Sequence, residues 1–131
     1  MPDYTPINID NSAVTLTAGA VVSGGRVVKV GATDDSVIHT VLTTDRPIGV
    51  AAHDAPSGGR VTVYLLPGFL HELLMEPGAV ITAGLGVQCS TTPGFVTSLV
   101  FSTSNYNAGL IGVCIRSTVT ATGTKVRVLG L

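Results

Sequence analysis

Charged side chains are scarce in this sequence. They make up 11% of its residues, against about a quarter in an ordinary globular domain. Seven basic and eight acidic residues leave a net charge of −1. No basic run is long enough to follow a phosphate backbone, so nucleic acid is not an expected partner. No stretch approaches the roughly 20 consecutive apolar residues of a membrane span, so no membrane is expected either. The opening MPDYTPINID has no basic segment leading into an apolar run. A secretory signal is therefore not expected, and synthesis is expected in the cytoplasm. Tryptophan is absent and there are three tyrosines, Tyr4, Tyr64 and Tyr106, which leaves little for a sugar ring to stack on. The two cysteines, Cys89 and Cys114, lack a C-x-x-C spacing and are expected as reduced, buried thiols. A free monomer usually carries more charge than this to stay in solution. The shortage points to a surface covered by other chains.

What the sequence has is valine, threonine and glycine, with 16 glycines in 131 residues. Valine and threonine suit a pleated, half-buried surface, and glycine serves the turns between short strands. An all-β fold is expected, in one domain. Residues 1–12 read as an extended N-terminal arm with two prolines and an alternating Ile7 and Ile9, suited to strand addition on another sheet, with a frayed terminus as the alternative. From residue 13 the pattern is strand, turn, strand. AVTLTAG, RVVKV (with Val28 and Val30 on one face), VIHTVLT from Val37 to Thr43, Ile48–Ala52 and Val61–Leu66 read as strands. GFLHELLMEPG is ambiguous in period and is assigned to a strand, with a helical turn as the alternative.

The chain then repeats itself. AVVSGGRVVKVG, from Ala20 to Gly31, is echoed by AVITAGLGVQCS, from Ala79 to Ser90. Val21 aligns with Val80, Gly25 with Gly84 and Val28 with Val87. Ile48-Gly49-Val50 aligns with Ile111-Gly112-Val113, and Val61 and Val63 with Val126 and Val128. Two pseudo-repeated antiparallel units follow, about 13–68 and 69–131. Each is read as too short to bury its own face, so the pair is expected to make one small barrel or sandwich. The glycine in each Ile-Gly-Val fits a close approach inside a strand.

Catalytic constellations are weak. His53-Asp54 are neighbours in a Pro/Gly loop and read as a solvated pair. His71-Glu72 lacks the second histidine of a zinc-protease helix. His39 reads as a surface or interface residue. Asp34-Asp35 reads as a polar turn, since no calcium-loop ladder follows it. Ser23-Gly24-Gly25 and Ser57-Gly58-Gly59 are not followed by the Gly-Lys-Ser/Thr of a phosphate loop. Neither an enzyme nor a cofactor or metal is expected.

In order along the chain, GGRVVKVG, RPIGVAAHDAPSGGRVTVYLLPG, PGAVITAGLGVQC and GLIGVCIRSTVTATGTKVRVLGL resemble a family of small tailed-phage proteins, the capsid decoration or head-stabilising proteins. The likeness covers about Leu16 to Leu131 and rests on hydrophobic and glycine positions. Arg26 and Leu85 stand where that family favours an acidic residue, and Cys114 where it favours alanine. The resemblance implies a barrel or tulip-like fold and assembly as a homotrimer. It implies a virion location on the outer capsid surface, after synthesis in the host cytoplasm, with the major capsid protein as partner. The residues expected to touch the capsid are those of the arm: Pro2, Asp3, Tyr4, Thr5, Pro6, Ile7, Asn8 and Ile9. Loops Asp54–Gly59 and Thr118–Gly123 are expected at equivalent places in the two repeats. The alternatives are another virion structural protein (a tail-tube or spike subunit) and, with less support, a carbohydrate-binding module.

Overall fold

The structure, a computed structural model, describes residues 13–100, 108–117 and 125–131. The described residues form strands and turns. The strands are β1 (Ala13–Ala18), β2 (Val27–Val30), β3 (Ser36–His39), β4 (Gly49–Ala51), β5 (Arg60–Leu65), β6 (Leu70–Leu74), β7 (Gly86–Cys89), β8 (Val96–Ser98), β9 (Leu110–Arg116) and β10 (Lys125–Gly130). The ambiguous Leu-rich segment is strand β6. Its register opposite β10 is continuous from Leu70↔Leu129 to Leu74↔Lys125, and a helical turn there would leave β10 without that partner.

β1 to β5 close into a barrel in the order β1-β3-β2-β4-β5, and β6 to β10 form a five-stranded sheet in the order β6-β10-β9-β7-β8. These are the same connection made twice. β1 pairs with β5 as β6 pairs with β10, β4 with β5 as β9 with β10, β2 with β4 as β7 with β9, and β2 with β3 as β7 with β8. Single bonds repeat as well. Gly25 N–H donates to the Ala51 carbonyl at 2.7 Å, and Gly84 N–H to that of Cys114 at 2.8 Å. Ala51 N–H donates to Arg26 at 3.0 Å, and Cys114 N–H to Leu85 at 2.9 Å. A Cβ at Gly49 would collide with the Tyr64 carbonyl, and one at Gly112 with the Leu129 carbonyl. This close approach explains the glycine of both Ile-Gly-Val segments, because any larger residue would force the paired strands apart.

The two pseudo-repeated antiparallel units of the expected all-β fold are a closed barrel and a five-stranded sheet. The first repeat closes by itself, through parallel pairing of β1 with β3 at Thr17↔Ser36 and Ala18↔Val37. In the second repeat that seam shrinks to one parallel bridge, Met75↔Val96. The reason lies in one carbonyl. In the first unit the Asp35 carbonyl accepts the amide of Thr17 from β1. The equivalent carbonyl in the second unit, Gly94, instead accepts the amide of Val27 from the first unit at 2.9 Å. The joint between the units takes the place of closure.

Two cores result. Val28, Val37, Ala51, Val61 and Val63 fill the first barrel, with Val14, Leu16 and Ile48 packed against them. Leu73, Val87, Val96, Ile111, Cys114, Val126 and Val128 fill the second unit, and Val27, Val50 and Leu66 of the first unit complete that core. Adjacent strand residues point to opposite faces. Val27 and Val28, both fully buried, therefore serve different cores. Burying a valine or leucine side chain contributes about 1.5–3 kcal/mol, so the wall made by β2 and β4 stabilises both units at once.

Candidate functional site

The arm residues Pro2, Asp3, Tyr4, Thr5, Pro6, Ile7, Asn8 and Ile9 lie outside the described residues, as do Tyr106 and loop Thr118–Gly123. The described chain begins at β1, where Ala13 pairs with Tyr64 at the outer end of β5.

The histidines are held by backbone groups. His53 Nε2 accepts the amide of Thr62 at 3.3 Å, so its Nδ1–H faces the Asp54 carbonyl at 2.9 Å. The Asp54 carboxylate accepts the amide of Gly24 at 2.8 Å. The pair thus ties a loop together, and its two side chains do not address each other. His71 Nε2–H donates to the Leu65 carbonyl at 2.9 Å, bracing the link between the units. Asp34 and Asp35 form an exposed turn, with Asp35 in the left-handed region at φ 55°. Its counterpart in the second unit is Gly94, at φ 73°. Among the described residues no three His, Cys, Asp or Glu side chains are grouped to hold a metal ion. No helix there is long and apolar enough to cross a membrane.

The most organised polar region is the joint between the units. Gly94 N–H donates to the Thr40 carbonyl at 2.8 Å and its carbonyl accepts from Val27. The Arg26 guanidinium lies 5.0 Å from the centroid of the Phe95 ring, a cation–π contact. His39 Nε2 accepts the Ser23 amide at 3.0 Å. Burial, and then the charge of Arg26, hold the His39 ring below the usual histidine range. It is neutral at pH 7, as its acceptor role requires. His39 is thus an internal joint residue.

Below it, Asp45 organises the loop after β3. Its carboxylate accepts Lys29 Nζ at 2.7 Å and the amides of Val41 and Leu42 at 2.8 and 2.9 Å. Those two bonds turn the chain, which is why β3 stops at His39 and does not run to Thr43. The Asp45 carbonyl accepts the Cys89 thiol at 3.7 Å. Both cysteines are buried and unpaired. Burial pushes the Cys89 thiol up to about 11 and raises that of Cys114, so both are packing residues.

The exterior is unusually apolar. Val21 and Val80, equivalent in the two repeats, are 70% and 80% exposed, while the next residue in each case, Val22 and Ile81, is buried. Val21 borders an open depression shared with Ser23, Asp54, Ala55 and Pro56. Leu85, Val100, Ile115 and Leu131 are exposed on the second unit. The scarcity of charge foreshadowed such surfaces. Their positions follow only from the pairing of strands.

The family model for phage cement protein matches residues 8–130. No curated protein sequence matches the chain. Among solved structures, the head fiber gp8.5 N base of bacteriophage phi29 is similar in fold. Its TM-score is 0.67 at 18% identity, over 91% of this chain and 92% of that one.

Proposed function

Since this chain belongs to the phage cement protein family, we propose that it works as an oligomer, a homotrimer, docked on the outer face of the capsid, where it bridges copies of the major capsid protein. It is a capsid-associated, head-stabilising structural protein of the virion. The observation that carries this reading is the extent of the family match, which spans both repeats. The site geometry agrees with it. The polar groups brought together at the joint bond to backbone and hold two β units in register, which is the work of a scaffold. Such a protein acts without turnover. It needs only to bind the mature lattice better than its precursor, and repeated weak contacts from each copy of an oligomer give the avidity. The arm, Pro2 to Ile9, is the proposed capsid contact, by strand addition.

The test is co-sedimentation of the full chain with mature shells, followed by heating. The chain is expected to pellet with the shells and to raise the temperature at which they rupture. A variant lacking residues 2–11 is expected to keep its fold and its solution mass but to stay in the supernatant. Assembly into open tubes without shells would overturn the reading in favour of a tail component.

A further inference from the structure

We infer that the second unit carries an unused copy of the internal joint face, and that a second copy of this chain occupies it, head to tail, through the first unit's turn at Asp34–Asp35. This concerns self-association and is independent of what the oligomer docks on.

The joint inside the chain is heterologous. The first unit presents Arg26, Val27 and Thr40, with Val50 and Leu66, and the second presents the Gly94–Phe95 turn and Cys89. Because the repeats match strand for strand, each face has an equivalent on the other unit. Arg26, Thr40, Val50 and Leu66 correspond to Leu85, Leu99, Val113 and Leu131. Leu85 and Leu131 are each 62% exposed, and their neighbours Val100 and Ile115 are exposed as well. On the open face an arginine and a threonine become leucines, while Val27 becomes Gly86, over which the Leu99 side chain lies. On the other side, Gly94 and Cys89 correspond to Asp35 and Val30. Cys89 is fully buried beneath the first unit, whereas Val30 is 59% exposed. Among the described residues, one chain therefore presents two exposed surfaces, and its internal joint shows how such surfaces meet.

The two faces differ in charge in a matching sense. Arg116 stands exposed beside Ile115, and Asp34 and Asp35 stand exposed beyond Val30. The intermolecular joint is not an identical copy. The Asp35 carbonyl already receives Thr17, and Asp35 carries a Cβ where Gly94 has none. A Cβ at Gly94 would strike Arg26, so the joint between chains is wider and held by side chains. A heterologous contact repeated between copies either closes a ring or grows a filament. The unequal widths of the two joints leave whole chains as the repeating unit.

The experiment is light scattering after size exclusion on the full chain, with Leu85→Glu and Val100→Glu as separate variants. The wild type is expected as a closed oligomer. Each variant is expected as a folded monomer with the wild-type β-sheet circular dichroism, because both side chains are exposed, and with a thermal midpoint that no longer depends on protein concentration. A single-site Asp35→Cys chain mixed with a single-site Leu85→Cys chain, treated with a short bis-maleimide, is expected to give a 35–85 linked heterodimer. The native thiols are buried and do not compete. A wild type that stays monomeric at high concentration, variants that remain oligomeric, or links joining 85 to 85 would each overturn the proposal.

Discussion

The amide of Val27 donates to the carbonyl of Gly94 across the joint, 2.9 Å from nitrogen to oxygen. Gly94 meets this bond with a positive φ of 73° and with the Arg26 side chain where its own Cβ would be. Gly94→Ala therefore combines left-handed strain, about 1–2 kcal/mol, with overpacking, about 1–3 kcal/mol. Urea unfolding is expected to show a loss of about 2–5 kcal/mol from the two together. A loss below about 1 kcal/mol, the cost of strain alone, would mean that the joint is slack.

Asp45 sets an acid limit. Burial opposes its ionisation, but the bonds from Lys29, Val41 and Leu42 outweigh burial and hold the carboxyl below its usual 3.8. A carboxyl depressed in the folded state binds its proton more readily when unfolded. Its contribution is thus complete above the unfolded value and is lost as pH falls below about 4. Asp45→Asn is expected to lower stability at pH 7 by about 1–3 kcal/mol and to flatten the fall between pH 4 and pH 2. Thermal melts across that range check both limbs. An Asn variant with the parent's acid slope would show that another carboxyl governs it.

The Cys89 thiol, raised to about 11 by burial, offers almost no thiolate at pH 8. Cys114 is buried in the same core. Labelling by iodoacetamide, followed by intact mass, is expected to leave both thiols unmodified in native buffer and to modify both in guanidinium. Reaction of either at a native rate would place it at the surface.

Much of this architecture could be read from the residues, because short valine strands punctuated by glycine leave few options. The Leu-rich segment reads as a strand from its residues, and it is one. The Gly49 and Gly112 alignment pointed to a close approach, and a carbonyl stands at each. What escaped has a common cause. Periodicity describes a strand's own two faces and says nothing about a second unit lying against one of them. Val30 continues the alternation of Val28, yet at the end of β2 it is more than half exposed, while Val27 is buried by the neighbouring unit. The strand from Val37 ends at His39 because a carboxylate several residues later captures two amides, and a propensity scale carries no such reach. The arm residues expected to touch the capsid fall outside the described chain, so their part rests on composition and resemblance.

Val27 and Val28 are covalent neighbours that belong to different cores. That arrangement bears on how the molecule comes apart. The second unit cannot be stripped away without exposing Val27, Val50 and Leu66, and the first cannot melt without removing the lid from the second. Loss of either half therefore drags the other with it, and the two halves behave as one cooperative body. For a head-stabilising protein this is a useful property: load applied to one unit is resisted by the stability of both.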